Sequence, residues 1–183
     1  MSSDITFKVV IFGDGGVGKT TLINRYLTGL FNGDTRVTIG INFHLKKIDV
    51  DGQIVALQIW DFAGERQFRK ILPNFLTGAK GGIFMYDITR YSSLKNITEW
   101  LTVLKEGAKG EIEEIPLIMV GGKLDLEFKR AVSRKYGLET ARYNGFYGFI
   151  ECSAKTGENV EVAFVTLGRI MMEKAGFIKP ANV

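Results

Sequence analysis

The run Gly13-Asp14-Gly15-Gly16-Val17-Gly18-Lys19-Thr20 has the spacing G-x-x-x-x-G-K-[ST] and follows directly on an apolar, β-branched stretch, Ile5 to Phe12. That placement demands a strand, a tight glycine turn and a helix, in that order. Glycines allow the backbone to present successive N–H groups to one anion. Lys19 adds a positive charge for the terminal phosphates, and the Thr20 hydroxyl suits Mg²⁺. The N-terminus of the following helix, with Thr21 inside it, points at the same anion. Gly15, Gly16, Val17, Gly18, Lys19, Thr20 and Thr21 therefore read as the cradle of a nucleoside triphosphate.

The rest of the chain supports one architecture. Thr20 to Thr28 carries Leu22, Ile23, Tyr26 and Leu27 at helical spacing. Ile41 to Val50 and Gln53 to Asp61 flank Asp51-Gly52, a strong hairpin signal, so these strands are expected to be antiparallel. Gly81 to Asp87 and Ile115 to Gly121 are nearly continuous apolar runs, as in strands buried on both faces. Phe62 to Gly78 reads as a loop entering a short helix. Helices are expected over Ser93 to Lys109, Ala131 to Tyr143 and Asn159 to Lys174, with a strand over Tyr147 to Cys152. Strands alternating with helices predict an α/β three-layer fold: six strands, mostly parallel with one antiparallel, and about five helices. Residues 1–183 read as a single domain.

Composition narrows the function classes. A net charge of +4 with scattered basic residues gives no nucleic-acid footprint. The single cysteine, Cys152, excludes an internal disulfide and reads as an inert core thiol in a reducing cytoplasm. No apolar run reaches the ~18 residues of a membrane span. Met1-Ser2-Ser3-Asp4 lacks a signal-peptide pattern, and Ser2 stands where myristoylation needs glycine.

Ligands of open α/β sheets bind outside the carboxyl ends of the strands. Asp61-Phe62-Ala63-Gly64, Gly122-Lys123-Leu124-Asp125 and Ser153-Ala154-Lys155 all lie there. Asp61 reads as the acidic partner of the metal, and Thr38 as a hydroxyl completing its shell when a third phosphate is present. Gly64 offers a backbone N–H to that phosphate. Asp125 can accept from both N1–H and the exocyclic amine of guanine, which adenine cannot satisfy. The stem of Lys123 can lie along the base. Ser153-Ala154-Lys155 supplies a backbone N–H to a base oxygen. The plainer readings are an ordinary loop threonine at Thr38 and a helix-capping aspartate at Asp125.

Taken together, the chain resembles a small GTPase of the Ras superfamily, most closely the Rab branch. The likeness runs from about Phe7 to Met172. The P-loop, Thr38-Ile39-Gly40, Trp60-Asp61-x-Ala63-Gly64, Lys123-x-Asp125 and Ser153-Ala154-Lys155 occur in the family's order. The Rab-like pieces are Ile39-Gly40-Ile41-Asn42-Phe43, Leu57-Gln58-Ile59-Trp60-Asp61 and Tyr86-Asp87-Ile88-Thr89. The resemblance implies a switch that binds GTP and GDP with Mg²⁺ and hydrolyses GTP slowly without an activating partner. It implies switch regions over 32–41 and 63–70, ordered by the third phosphate. It places Phe31 beside the guanine. It makes Phe43, Trp60 and Phe75 a surface for effector, exchange and activating proteins; core packing is the other reading of Phe43 and Trp60. The location it implies is cytoplasmic, peripheral at membranes where a lipidated tail or a partner provides the anchor.

Three departures from the family pattern bear on activity. Glu65 stands where the family has the glutamine that orients the attacking water. It can accept from water, or act as a weak general base, but offers no amide donor. A local slip could instead bring Arg66 or Gln67 to the phosphate, so Lys19, Gly64, Glu65 and Arg66 are the candidate catalytic group. Gly122 replaces the family's asparagine, which predicts weaker nucleotide affinity and faster exchange. Lys179-Pro180-Ala181-Asn182-Val183 carries no prenylation cysteine; either a tail has been removed or prenylation is not used. Phe62 replaces the usual threonine and gives the second switch a more apolar base. Two other readings stay open: a GTP-bound interaction module that scarcely hydrolyses, and a P-loop ATPase or kinase, which Asp125 argues against.

Overall fold

The computed structural model describes residues 5–33, 38–107 and 115–180. Six strands form one sheet in the order β2-β3-β1-β4-β5-β6. They are β1 (Ile5–Phe12), β2 (Ile41–Val50), β3 (Gln53–Phe62), β4 (Ala79–Asp87), β5 (Leu117–Gly122) and β6 (Gly148–Glu151). Only β2 runs antiparallel, against β3. Asp51 (φ 52°) and Gly52 (φ 81°) are both left-handed, as a two-residue hairpin turn requires.

Strand β1 shows why the sheet is three-layered. Its side chains alternate between faces. Val9 and Ile11 join one core with Leu22, Ile23, Phe164 and Leu167, from α1 (Lys19–Thr28) and α7 (Val160–Lys174). Val10 and Phe12 join the opposite core with Leu72, Trp100, Leu104 and Ala141. These come from α3 (Leu72–Phe75), α5 (Ile97–Gly107) and α6 (Arg134–Tyr143). Two short helices, α2 (Arg66–Arg69) and α4 (Tyr91–Lys95), lie at the carboxyl edge of the sheet.

The five expected helical regions are present as seven α segments, and tertiary contacts account for the differences. The region after β3 holds two single-turn helices. Ser93 to Lys109 divides at Asn96, whose side-chain amide donates to Asp14 at 2.6 Å. Its expected last two residues, 108 and 109, lie outside the described residues. The helix expected from Ala131 begins at Arg134, because the N–H groups of Ala131 and Val132 both donate to Ile88 O. Ser133 then caps it, its hydroxyl accepting from Tyr136 N. β6 is shorter at both ends than expected. β4 begins two residues before Gly81, and β5 begins two residues after Ile115.

Candidate functional site

The P-loop leaves β1 through Gly13 at φ 139°, where an added Cβ would stand 2.1 Å from Met85 O. Only glycine lets the loop pass so close to β4. Gly18 (φ 103°) opens α1 with no side-chain cap and no acidic residue in the first turn. The free N–H groups and the positive end of the helix dipole are thus left for an anion. Gly15 and Gly16 are exposed at the rim.

Lys19 lies beneath this bowl, 5% exposed. Its Nζ donates to Gly13 O at 2.8 Å and Asp14 O at 2.9 Å. Burial, helped by the like charges of Arg90 and Arg69, brings its pKa down to about 8 against the opposing pull of Asp61 and Asp14. An ammonium has three donors, so one remains after both carbonyls are served.

Thr20 Oγ1 lies 2.6 Å from Thr38 Oγ1 and 2.5 Å from Asp61 Oδ2. Asp61 is fully buried, and its Oδ1 has no partner among the described residues. Burial raises its pKa, against Thr20, Lys19 and His44. An orphaned carboxylate oxygen beside two hydroxyls is an unfavourable arrangement in a dry interior. It is also the all-oxygen set that a small hard cation takes, with phosphate and water completing the shell. The residues therefore fit Mg²⁺.

The base side is built by β5 and β6. Lys123 adopts φ 67°, left-handed for a residue with a side chain. Its Nζ donates to Gly16 O at 2.9 Å and pairs with Asp87 Oδ2 at 2.7 Å. Asp87 is raised by burial but lowered further by its bonds from Lys123 and Thr89, ending below the usual range. Ser153, fully buried, donates its hydroxyl to Asp125 Oδ1 at 2.7 Å, and Thr156 N donates to the same hydroxyl. Asp125 is thereby held as a ready acceptor, more than a helix cap would require. A cleft of about 170 Å³ is lined by Thr21, Phe31, Lys123, Asp125, Ala154 and Lys155, together with Met85.

Met85 was not legible as a site residue. Its Cε stands 2.4 Å from where a Cβ on Gly122 would lie. That methyl, the end of a flexible side chain, would have to swing aside for a larger residue at Gly122.

Gly64 abuts the P-loop: a Cβ there would stand 2.1 Å from Gly15 N and 2.2 Å from Asp14 C. Among the described residues, neither Arg66 nor Gln67 bonds to the P-loop. Arg66 is not brought to the P-loop; it is solvent-exposed and pairs with Glu99 at 3.6 Å, because α2 turns it toward α5. Glu65 accepts from Gln67 Nε2 at 2.7 Å. Residues 34–37 of the first switch region lie outside the described residues.

Asp14 is the other site residue that sequence reasoning missed. Its carboxylate accepts from Arg69 (2.8 Å), Asn96 (2.6 Å) and Trp100 Nε1 (2.9 Å). Arg69 also pairs with Glu99 and stacks over Trp100 at 4.5 Å. Helices α2 and α5 are thus fastened to the P-loop through one side chain.

Phe43 and Trp60 are register partners with rings 5.2 Å apart, and Phe75 extends the row at 5.5 Å. Phe43 is 51% exposed, so core packing does not describe it. Phe62, fully buried, supports Phe75 from beneath at 5.8 Å.

The Ras family model matches residues 8–173. The chain belongs to the Ras family. Within it this small GTPase is of the Rab branch. It is 40% identical over 179 residues to Ras-related protein Rab-13 of Canis lupus familiaris, covering 98% of this chain and 86% of the relative. It is 42% identical over 171 residues to Ras-related protein Rab-8B of Homo sapiens, covering 93% and 81%. The matched span of this Ras-family chain holds the carboxyl end of every strand described above. Cys152, fully buried with its thiol pushed up to about 12 by burial and by Glu151, takes no part in the site. Among the described residues, no helix is long and apolar enough to cross a membrane.

Proposed function

We propose that this chain is a guanine-nucleotide-dependent switch that binds GTP and GDP with Mg²⁺ and hydrolyses GTP slowly. The observation that carries the reading is the unpaired Asp61 Oδ1 beside the Thr20 and Thr38 hydroxyls, directly below an uncapped helix terminus. Gly15 to Thr20 would hold the phosphates, with Lys19 supplying its spare donor. Thr20, Thr38 and Asp61 would hold Mg²⁺, directly or through water. When bound, the ion neutralises charge on the β- and γ-phosphates.

Asp125, held by Ser153, would read the guanine edge. Phe31, Thr21, Lys123, Ala154 and Lys155 would enclose the base and ribose. Gly64 would report the γ-phosphate to the second switch. Glu65 would sit beside the attacking water, with the Gln67 amide bonded to its carboxylate. Switch regions 32–41 and 63–70, and the row Phe43, Trp60 and Phe75, would receive effector and regulatory proteins. We place the chain in the cytoplasm, working in membrane trafficking or signalling and held at membranes by a lipidated tail or a partner.

Chromatography of nucleotide released from the freshly purified, denatured protein tests this reading. GDP is the expected content. GTP alone would mark a module that does not turn over, and adenine nucleotide would overturn the assignment to Asp125.

Gly122 bears on how tightly the nucleotide is held. Lys123 makes one link from the base loop to the P-loop, and glycine at 122 adds no side-chain bond to it. Gly122→Asn alone is expected to slow GDP release by less than the double variant, since Met85 Cε must first swing aside. Gly122→Asn with Met85→Val is expected to slow GDP release roughly tenfold, two restored bonds being worth about 1 kcal/mol each. A fluorescent GDP analogue chased by excess GDP gives the rate. If Met85→Val alone slows release as much as the pair, the asparagine plays no part.

A further inference from the structure

Arg90 ends the loop after β4 and precedes α4, and its backbone is fixed on three sides. Its N–H donates to Asp87 O at 3.0 Å, and its carbonyl accepts from Ser93 N at 3.1 Å and the Ser93 hydroxyl at 2.6 Å. From this anchor the half-buried side chain crosses to the P-loop. Nη2 donates to Gly15 O at 2.6 Å, and Nη1 lies 3.7 Å from where a Cβ on Gly16 would be.

Among the described residues, no carboxylate pairs with Arg90. Lys19, which Asp61 and Asp14 attract more strongly, also feels the charge of Arg90, of the same sign. Two cations converging on a glycine-lined bowl repel each other until a polyanion lies between them. Only one guanidinium donor is used on Gly15 O, which leaves four for a ligand. Arg66, the other arginine within reach by sequence, is solvent-exposed and lies 3.6 Å from Glu99 on α5.

We propose that Arg90 is the arginine of this chain that stabilises the transferring phosphoryl group, supplied in cis from the rim of the P-loop. The inference rests on the GTPase reading above. In that reaction the water oxygen bonds to the γ-phosphorus as the bond to the β–γ bridging oxygen breaks. The bonding electron pair passes to GDP through that oxygen, and the water's proton leaves on inorganic phosphate. Arg90, released from Gly15 O, places its charge against the oxygens that gain electrons. An arginine in this role is worth roughly 10³-fold or more in rate. The device suits a chain in which Glu65 offers no amide.

The test uses the full chain loaded with GDP and Mg²⁺, with aluminium fluoride added as a mimic of the transferring group. Uptake is read by ¹⁹F NMR, and GDP affinity by titration. The unaltered protein is expected to take up aluminium fluoride without any partner protein. Arg90→Ala and Arg90→Lys are expected to lose that uptake while keeping GDP affinity within about threefold, and single-turnover hydrolysis should fall roughly 10³-fold. If the unaltered protein takes up none, or Arg90→Ala takes up as much, the role of Arg90 is overturned while guanine binding stands. Loss of uptake in Arg66→Ala with Arg90→Ala unaffected overturns it in favour of Arg66. Failure of the unaltered protein to bind GDP overturns the GTPase reading and the inference with it.

Discussion

Asp125→Asn is expected to weaken GDP binding by roughly 10²–10⁴-fold and to transfer preference to xanthosine diphosphate. Guanine offers two donors on one edge, N1–H and the exocyclic amine. A carboxylate accepts both. Hydrogen bonds to a charged group contribute about 1.5–3 kcal/mol each, so the pair is worth about 3–6 kcal/mol. Asparagine turns one acceptor into a donor, which faces the guanine amine without a partner. Xanthine carries a carbonyl at that position and restores the match. The fold has prepared this residue: Ser153 Oγ donates to Asp125 Oδ1, and Thr156 N fixes the serine. Isothermal titration with the two diphosphates decides it. Equal losses for both would mean that Asp125 holds the loop rather than reads the base. Ser153→Ala should then show a smaller loss in the same direction, since it frees the carboxylate without removing it.

The strand ends were legible because their signals are local. Glycine spacing, an Asp-Gly turn and apolar runs each act within a few residues. Thr20, Thr38, Asp61, Asp125 and Ser153 all converge at the carboxyl edge that the alternation of strands and helices predicts. What was not legible depends on contacts between distant segments. Asp14 looks like filler inside the P-loop, yet three donors from α2, the α4–α5 junction and α5 meet it. Met85 and Arg90 sit in and just after an apolar strand, and nothing in their neighbours signals a path to the P-loop. The position of Arg66 was not legible for the converse reason. Its adjacency to Glu65 says nothing of Glu99, which lies on another helix. The start of α6 failed because Ile88 O claims the N–H groups of Ala131 and Val132.

These non-local contacts bear on how the site transmits its state. The carboxylate of Asp14 joins the P-loop to Arg69 in α2, and Arg69 joins both to Trp100 and Glu99 on α5. A displacement of Gly64, which lies against Asp14 and Gly15, would have to move this cluster or break it. Packed networks of this kind change between discrete arrangements rather than by gradual flexing.

Lys19→Met is expected to separate binding from stability. Affinity for GDP should fall by roughly 10²–10⁴-fold, because the phosphates lose charge-assisted bonds worth about 1.5–3 kcal/mol each. Unfolding of the nucleotide-free protein should move by only a few degrees. Two contributions nearly offset each other there. Gly13 O and Asp14 O lose a donor, at about 1 kcal/mol each. Against that, burial works against the ammonium's charge more strongly than Asp61 and Asp14 support it, so its removal relieves a net electrostatic cost. Methionine keeps most of the stem volume, so no large cavity opens beneath the loop. The glycine turns that shape the cradle belong to the backbone and persist without the lysine. Calorimetric melting of the nucleotide-free proteins, paired with GDP titration, reads both halves. Retained affinity would remove Lys19 from the phosphate site. A collapse in melting temperature would make the lysine a structural clamp, whose loss of binding is only a consequence of unfolding.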